Sequence, residues 1–590
     1  MSQEITLDVE QRMAVDSSAP AVVVVAGAGS GKTEVVARRV ERILRETPAE
    51  AFRILALSYT VRAAEELRSR FRERLGNAHR RVDTDTVHGF ALSLIRQFGT
   101  RIGLPPEPEI LTRDEDRAEL LLSWLAESQY PEPGEPISEV LARLDTARAR
   151  GEPTRLLAEW REALDARGAL DFPAMLDKAR DLLIESSWVE RHVQRLYEHV
   201  IIDEAQNLTP AQYEFLRLVV GDPSGSHVSL MIVGDERQSI VTFAGADPRL
   251  ISRLGRDYGA KRIELLRNYR SAEMIVRLGK TVATALELPS SFGDTDYAAR
   301  GSVSLKEVAD EVAESAAVSA WIRSLLSDGL DMSVLAPGEP PRIRPEDIAV
   351  LSRSGATLRL TRESLEEWGI ESSFASTEDD WVRSTPGRMV VELSAFKGAP
   401  EHRSTQRRLE SLLDLERWDW SRPEAAFAES EHSDLVVLLQ ASSPQELVEF
   451  ASDIQSDEPD WPDDLVQIRD ALDSFLAHTD VAARTFSNFR QHIVRCQRGD
   501  GLSSGVRLLT VHKAQGREFR AVAVVGCNDG QFPDFRARGE EERRSELRTF
   551  YVAVTRPTRA LLLTRARTRR TQYGPRSTEP SPFLKFVDAL

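Results

Sequence analysis

Cysteine is nearly absent: the 590 residues include only Cys496 and Cys527, which form no close pair. A disulfide framework and a cysteine-based metal centre are excluded as organising devices, and a reducing cytoplasm is the expected compartment. Long apolar runs are missing too. The longest near the N-terminus, Ala21 to Ala26, falls far short of the roughly 20 residues that cross a bilayer. The polar start Met1-Ser2-Gln3-Glu4 has no signal-peptide character, so neither secretion nor a membrane partner is expected. Lysine is scarce, at eight of 77 basic residues, so a single arginine says little about phosphate binding in this chain. Net positive charge is lacking as well: 94 acidic residues leave a formal charge of −17, which at first sight argues against a nucleic-acid partner.

What is present is ample material for packed cores, with 41% hydrophobic residues. The length implies several domains, since single cores rarely grow past about 250–300 residues. Charge is uneven along the chain. Residues 101–190 carry −9 and 391–500 carry −11, whereas 501–590 carry +8. The two acidic blocks account for more than the whole net charge, so the remainder is slightly basic. Both blocks show helical spacing, in Asp114 to Ala126 and Glu139 to Arg150 of the first and Gln406 to Leu415 and Leu465 to Ala477 of the second, and both are predicted to be helical inserts. The flanking regions instead hold short β-branched runs, each followed by a helical pattern: Ala21 to Val25, Ile54 to Leu57, Val200 to Ile202, Leu230 to Val233, Ile348 to Leu351, Val506 to Thr510, Ala521 to Val525 and Leu561 to Thr564. That alternation predicts parallel α/β layers. The 501–590 block has too few strands for a sheet of its own and is expected to complete one begun between 300 and 390.

The first run leads into Ala26-Gly27-Ala28-Gly29-Ser30-Gly31-Lys32-Thr33, with a helical pattern from Glu34 to Leu44 behind it. Strand, glycine-rich loop, Lys-Thr and helix together make a phosphate-binding loop: the glycines turn backbone N–H groups onto phosphate oxygens, Lys32 reaches the β- and γ-phosphates, and Thr33 can hold Mg²⁺. A second strand ends in Asp203-Glu204-Ala205-Gln206. Paired carboxylates at a buried strand end need a compensating cation. Asp203 would meet Mg²⁺, and Glu204 would orient and deprotonate the attacking water. Gln11 has an amide suited to the adenine edge. Gln238, in Gly234-Asp235-Glu236-Arg237-Gln238-Ser239-Ile240, sits where a third strand ends and could sense a γ-phosphate.

With Leu266-Arg267-Asn268-Tyr269-Arg270-Ser271, Thr510-Val511-His512-Lys513-Ala514-Gln515-Gly516-Arg517-Glu518-Phe519 and Tyr551-Val552-Ala553-Val554-Thr555-Arg556, the chain resembles the superfamily 1A DNA helicases of the UvrD/Rep/PcrA type. Ser58-Tyr59-Thr60, Ala63-Ala64 and Thr86-Val87-His88-Gly89-Phe90 extend the match. The resemblance implies an α/β fold of two RecA-like P-loop motor domains, 1A (1–104 and 191–275) and 2A (276–390 and 501–590), with helical inserts 1B (105–190) and 2B (391–500). It implies ATP between the motor domains, with Gln11 and Tyr269 on adenine, Glu518 near the ribose, and Arg270 and Arg556 on the γ-phosphate. It also implies single-stranded DNA across the motor domains, on Tyr59, His88, Phe243 and His512, and 3′-tailed duplex as substrate.

The chain departs from that pattern in places. Val241 stands where the family usually has Tyr, Ala244 where it has Arg, Asn207 where it has Asp, and Gln515 and Arg517 where it has Lys and Leu. The nucleotide set is complete and the DNA set is thinned. A fused nuclease is not expected, because the inserts contain only Lys178 and Lys397, outside any carboxylate cluster; cutting would need a partner. The leading expectation is an ATP-dependent 3′→5′ single-stranded DNA translocase and helicase in DNA repair, recombination or anti-phage defence. Its rival is an ATP-gated DNA-binding or regulatory subunit of a nuclease or repair complex, which hydrolyses ATP without processive unwinding. The acidic inserts offer a protein-binding surface in either case.

Overall fold

The computed structural model describes residues 6–48, 51–111, 114–125, 136–150, 152–223, 225, 227–241, 245–287, 295, 297, 299–374, 382, 384–415, 418–458, 461–498, 505–571 and 574–590. The chain divides into two compact units, one of Met1–Phe90, Ser186–Ala375 and Ser503–Leu590, the other of Ala91–Glu185 and Ser376–Leu502.

The first unit contains two parallel six-stranded sheets. Sheet one is built from β1 (Ala21–Ala26), β2 (Arg53–Ser58), β3 (Val82–Thr86), β4 (Tyr197–Ile202), β5 (Ser229–Gly234) and β6 (Lys261–Leu265), in the order β3-β2-β4-β5-β1-β6. Sheet two is built from β7 (Ser302–Val308), β8 (Ile348–Ser352), β9 (Ser372–Phe374), β10 (Val506–Thr510), β11 (Phe519–Val524) and β12 (Pro557–Ala566), in the order β9-β10-β8-β11-β12-β7. It therefore takes strands from both sides of the 391–500 block. The eight apolar runs singled out above lie in these strands, Val525 alone falling one residue past the end of β11.

β1 shows why the runs are strands. All six residues from Ala21 to Ala26 are buried, and the sheet covers both their edges, since Val23 pairs with Ile232 of β5 and with Arg262 of β6. A strand packed on both faces needs no polar alternation. Val22, Val24 and Ala26 pack with Val35, Val36 and Val40 from the helix Lys32–Glu46. β3 escaped the sequence reading because its sequence, Val82-Asp83-Thr84-Asp85-Thr86, is polar; it is an edge strand with one buried residue. β7, with a mostly exposed face, is the other edge of its sheet and was missed for the same reason.

The second unit is mostly helical, with helices Asp114–Leu125, Ile137–Arg150, Arg403–Leu412 and Trp461–His478 where the helical spacing predicts them. The first block is not all helix, however. Glu109–Leu111 and Ala169–Asp171 form a parallel two-stranded ribbon, too short for any periodicity to betray it. Its Glu109 carboxylate is buried and accepts from Arg167 at 2.8 Å and from the backbone N–H of Ser404 at 2.9 Å. Arg408 in turn binds Asp116 at 2.8 Å and Glu392 at 2.7 Å. These polar contacts join the two acidic chain segments into one body. Among the described residues no helix is long and apolar enough to cross a membrane.

Candidate functional site

β4, β5 and β1 are neighbours in sheet one, with Ile202 and Val23 both level with Ile232 of β5. Parallel strands present their C-terminal ends at one edge, so the residues after these three strands share a crevice. β1 leads into the glycine-rich loop, β4 into Asp203-Glu204, and β5 into Asp235 to Gln238.

The loop is curled by Ser30, whose hydroxyl and N–H donate to the Gly27 carbonyl at 2.8 and 3.3 Å. Gly29 and Gly31 hold φ of +75° and +80°, and the helix Lys32–Glu46 starts directly behind them, with Thr33 in its first turn. Ala28 is buried and its carbonyl accepts from the Asn268 amide at 2.7 Å. A Cβ on Gly29 would lie 2.6 Å from Asn268 Nδ2 and 2.8 Å from Arg270 Cβ. Gly29→Ala should therefore raise KM for ATP at least about tenfold and cost about 1–2 kcal/mol in backbone strain alone. Gly76→Ala, at φ +51° with open space around it, should carry the strain without the KM change. Nucleotide titration and thermal melting of the two variants check this.

Glu204 is one of the few non-glycine residues with positive φ, at +52°. Its carboxylate lies 3.6 Å from Lys32 Nζ and accepts a hydrogen bond from Gln206. Asp203 is 6% exposed. Burial first, and the Glu204 charge second, push its carboxyl above the ordinary range, while Lys32 opposes them. Asp235 is also buried, yet Arg237 and Lys32 outweigh that burial and hold it below its usual value. The Asp235 carboxylate accepts from Arg237 Nε at 2.6 Å and from Gln238 Nε2 at 2.9 Å. The crevice thus contains a carboxyl, Asp203, whose ionisation calls for more positive charge than Lys32 supplies. A phosphate-bound Mg²⁺ fits such a site, and Thr33 and Asp203 are the residues that could hold it. Among the described residues no cluster of three or more His, Cys, Asp or Glu offers an all-protein metal cage.

Gln11 and Tyr269 are brought to the same side of the loop. Gln11 is buried and donates to the Ser30 carbonyl at 3.0 Å, and Tyr269, 37% exposed, donates its backbone N–H to the Gly29 carbonyl at 2.9 Å. Asp8 joins them: one carboxylate oxygen accepts the Gln11 N–H at 2.6 Å, the other the Tyr269 hydroxyl. Sequence reasoning missed Asp8. Its signal was the capping-box spacing Asp8-x-x-Gln11 ahead of the helix Val9–Asp16.

The second sheet contributes from across the crevice. Arg556, 1% exposed at the end of the helix Glu540–Val554, donates to Gln238 Oε1 at 3.2 Å. It also donates to the carbonyls of Val552 and Arg517, each at 3.0 Å. Burial, then the Arg270 charge, lower its guanidinium to about 10, so it remains a cation at neutral pH. Arg270 forms an ion pair with Glu518, the residue just before β11 of the second sheet. The contact continues beside it: Ala272 N–H donates to Thr558 O at 2.9 Å, and the Arg559 side chain, through Nη1, to Arg270 O at 2.9 Å.

The aromatics expected to meet DNA divide unevenly. Tyr59 follows β2 and His88 follows β3, adjacent strands paired Ser58 to Thr86, and both side chains are half-buried. His88 Nδ1 lies 3.5 Å from the Gln212 amide. His512 follows β10, and burial first, then Arg353, push its imidazole down to about 4. It is neutral at physiological pH and would serve by stacking or hydrogen bonding. Phe243 and Ala244 lie outside the described residues. Val241 packs against the core of sheet two. A further aromatic, Phe535, is 63% exposed on the loop between β11 and the helix Glu540–Val554, with the Arg536 guanidinium 5.2 Å from its ring centroid. That loop is pinned beside the end of β8, because Glu546 accepts from both Asp534 N–H (3.0 Å) and Arg353 (2.9 Å). Nothing in its local pattern separated Phe535 from a core residue.

Comparison with known proteins agrees with the geometry. Residues 7–259 match the UvrD/REP helicase N-terminal domain and 441–568 the UvrD-like helicase C-terminal domain. The chain is 27% identical to DNA helicase II of Escherichia coli, over 98% of this chain and 87% of that one. It is 27% identical to ATP-dependent DNA helicase UvrD2 of Mycobacterium tuberculosis, covering 98% and 81%, and 24% identical to ATP-dependent DNA helicase PcrA of Staphylococcus aureus, covering 98% and 86%. With both domains matched in order and relatives aligned along nearly the whole chain, the protein belongs to the UvrD/Rep family of helicases.

Proposed function

We propose that the protein is an ATP-dependent DNA translocase and helicase moving 3′→5′ on single-stranded DNA, in repair, recombination or defence against foreign DNA. Its two sheets belong to RecA-like motor domains, 1–104 with 191–275 and 276–390 with 501–590, and the blocks 105–190 and 391–500 are mainly helical inserts. The observation that carries this reading is the meeting of Arg556 with Gln238, which brings a buried arginine of one sheet to the phosphate edge of the other.

The chemistry follows from these positions. ATP lies between the sheets, adenine against Gln11 and Tyr269, the ribose near Glu518, and the phosphates in the loop from Gly27 to Thr33. Thr33 and Asp203 would hold Mg²⁺, which would supply charge neutralisation to the bound phosphates. Lys32 turns from Glu204 to the phosphates, leaving Glu204 to take the proton of the water that attacks the γ-phosphorus. Arg270 and Arg556 stabilise the charge on the transferred group, and Gln238 reports its presence. Phosphoryl transfer is catalysed by positioning and charge, so an arginine from the opposite sheet makes hydrolysis depend on closure of the crevice. Single-stranded DNA crosses the C-terminal strand ends of both sheets on Tyr59, His88, Phe243 and His512, and the exposed Phe535 ring extends that track. Stacking on each is worth roughly 1–3 kcal/mol per base.

The second reading, an ATP-gated DNA-binding or regulatory subunit of a nuclease or repair complex, is favoured by one observation: Val241 is turned into the core of sheet two, where a DNA contact is usual in the family. Strand displacement on tailed duplexes separates the two. The translocase reading expects a 3′-tailed duplex to be unwound at catalytic protein concentration and a 5′-tailed one to be left intact. ATP hydrolysis without displacement of either would favour the regulatory subunit, with the acidic insert surface as its contact to a protein partner such as a nuclease.

A further inference from the structure

β10 ends at Thr510 and the chain turns at once through Val511 to Gly516, closed by Ala514 N–H on Thr510 O (3.1 Å) and by Gln515 N–H on His512 O (3.3 Å). This one turn grips the segment after β5 of the other sheet at two points. The His512 imidazole hydrogen-bonds the Ile240 backbone. Gln515 Nε2 donates to the Gln238 carbonyl at 2.9 Å and lies 3.4 Å from Asn207 Oδ1. Between these points Ile240, 1% exposed, is buried with Leu509, Val511 and Ala514 in the core of sheet two. Gln238 thus has its main chain held by Gln515, while its side chain spans Asp235 (2.9 Å) and Arg556 (3.2 Å).

We infer that Gln515 is a positioning residue that couples DNA occupancy to ATP hydrolysis. Resting on the function proposed above, it fixes the Gln238 main chain so that a shift of the His512 turn on binding DNA moves the Gln238 amide relative to Arg556. His512 and Gln515 are three residues apart on one closed turn, so neither can move without the other. Gln515 and Asn207 are also two of the positions at which the chain departs from its family. Here they meet as neutral amides, so the grip is made of hydrogen bonds and not of an ion pair.

The test is steady-state ATP hydrolysis by the full chain, with and without saturating oligo(dT), for Gln515→Ala, Gln515→Glu and Gln515→Lys. In Gln515→Ala the ratio of DNA-saturated to DNA-free rate should fall about tenfold, within the roughly 5–150-fold span of ordinary coupling energies. KM for ATP and Kd for oligo(dT) should change less than about twofold, because no binding contact is removed. Gln515→Glu, which sets a carboxylate against the Gln238 carbonyl, should lose at least as much. Gln515→Lys, which restores a donor of similar reach, should recover most of the ratio. An unchanged ratio in Gln515→Ala and Gln515→Glu overturns the inference, as does a loss that tracks weaker DNA binding or that Gln515→Lys does not rescue. If the wild-type protein itself shows no DNA stimulation, the functional reading fails instead, and the two failures are distinguishable.

Discussion

Arg556→Ala should lower the DNA-stimulated ATPase rate by about 10³–10⁵-fold, the usual worth of an arginine delivered to a transferred phosphoryl group, while nucleotide binding persists. The environment of Arg556 makes the expectation specific. The side chain is almost wholly buried, touches Gln238 of sheet one, and is held by the Val552 and Arg517 carbonyls and the Thr555 hydroxyl. Few solvent dipoles compete for its charge, so its full field acts on whatever anion lies in the crevice. Removing it also leaves buried carbonyls short of a donor, at about 1–3 kcal/mol for a group stranded this way, so a lower melting temperature should accompany the lost activity. Arg556→Lys separates the two effects. It keeps the cation but cannot reproduce the planar fork, and should retain stability better than activity. Equal losses of activity and melting temperature in both variants would reduce Arg556 to a structural cation.

Glu204→Gln should be the second large loss, roughly 10²–10⁴-fold in ATP turnover, as expected for removal of a general base. Its geometry argues for function before any family is named. A glutamate at φ +52° sits in a conformation that L-residues avoid, and such strain, about 1–3 kcal/mol, is kept where the site requires it. The same residue is ion-paired to Lys32. The amide variant releases that lysine, so ATP should bind Glu204→Gln as tightly as wild type or more so, by equilibrium titration with a fluorescent ATP analogue. Glu204→Gly should be equally inactive and more stable to heat, since glycine relieves the backbone.

Much of the crevice was legible in the sequence because its parts sit at strand ends. The runs before Gly27, Asp203 and Gly234 are apolar and β-branched, so each polar cluster behind them falls at one edge of a parallel sheet. The capping-box spacing marks Asp8 only as a helix cap; its second role, holding Tyr269, is a contact between residues 261 positions apart in the chain. Edge strands such as β3 were missed because exposure on an edge removes the hydrophobic period that marks a strand. The ribbon at Glu109 was missed because three residues cannot display a period. Charge was the most misleading feature. The acidity belongs to the blocks 101–190 and 391–500, which lifts the objection to nucleic acid, yet part of the +8 of the last 90 residues is already neutralised by carboxylates elsewhere in the chain. Arg565 and Arg567 both pair with Glu307, and Arg569 with the buried Glu314. With these three arginines paired, stacking on aromatics should carry more of the DNA affinity than in a fully basic groove, and the salt dependence of binding should be correspondingly shallower.

On the function proposed above, residues of two sheets form one ATP site whose turnover is governed by single-stranded DNA. Steady-state ATP hydrolysis by the wild-type protein, with and without single-stranded DNA and alongside Glu204→Gln, tests it most directly. The rate should rise at least about tenfold with DNA, in the range of ordinary site-to-site coupling, and Glu204→Gln should abolish it. Equal rates with and without DNA, together with an unchanged rate in Glu204→Gln, would contradict it.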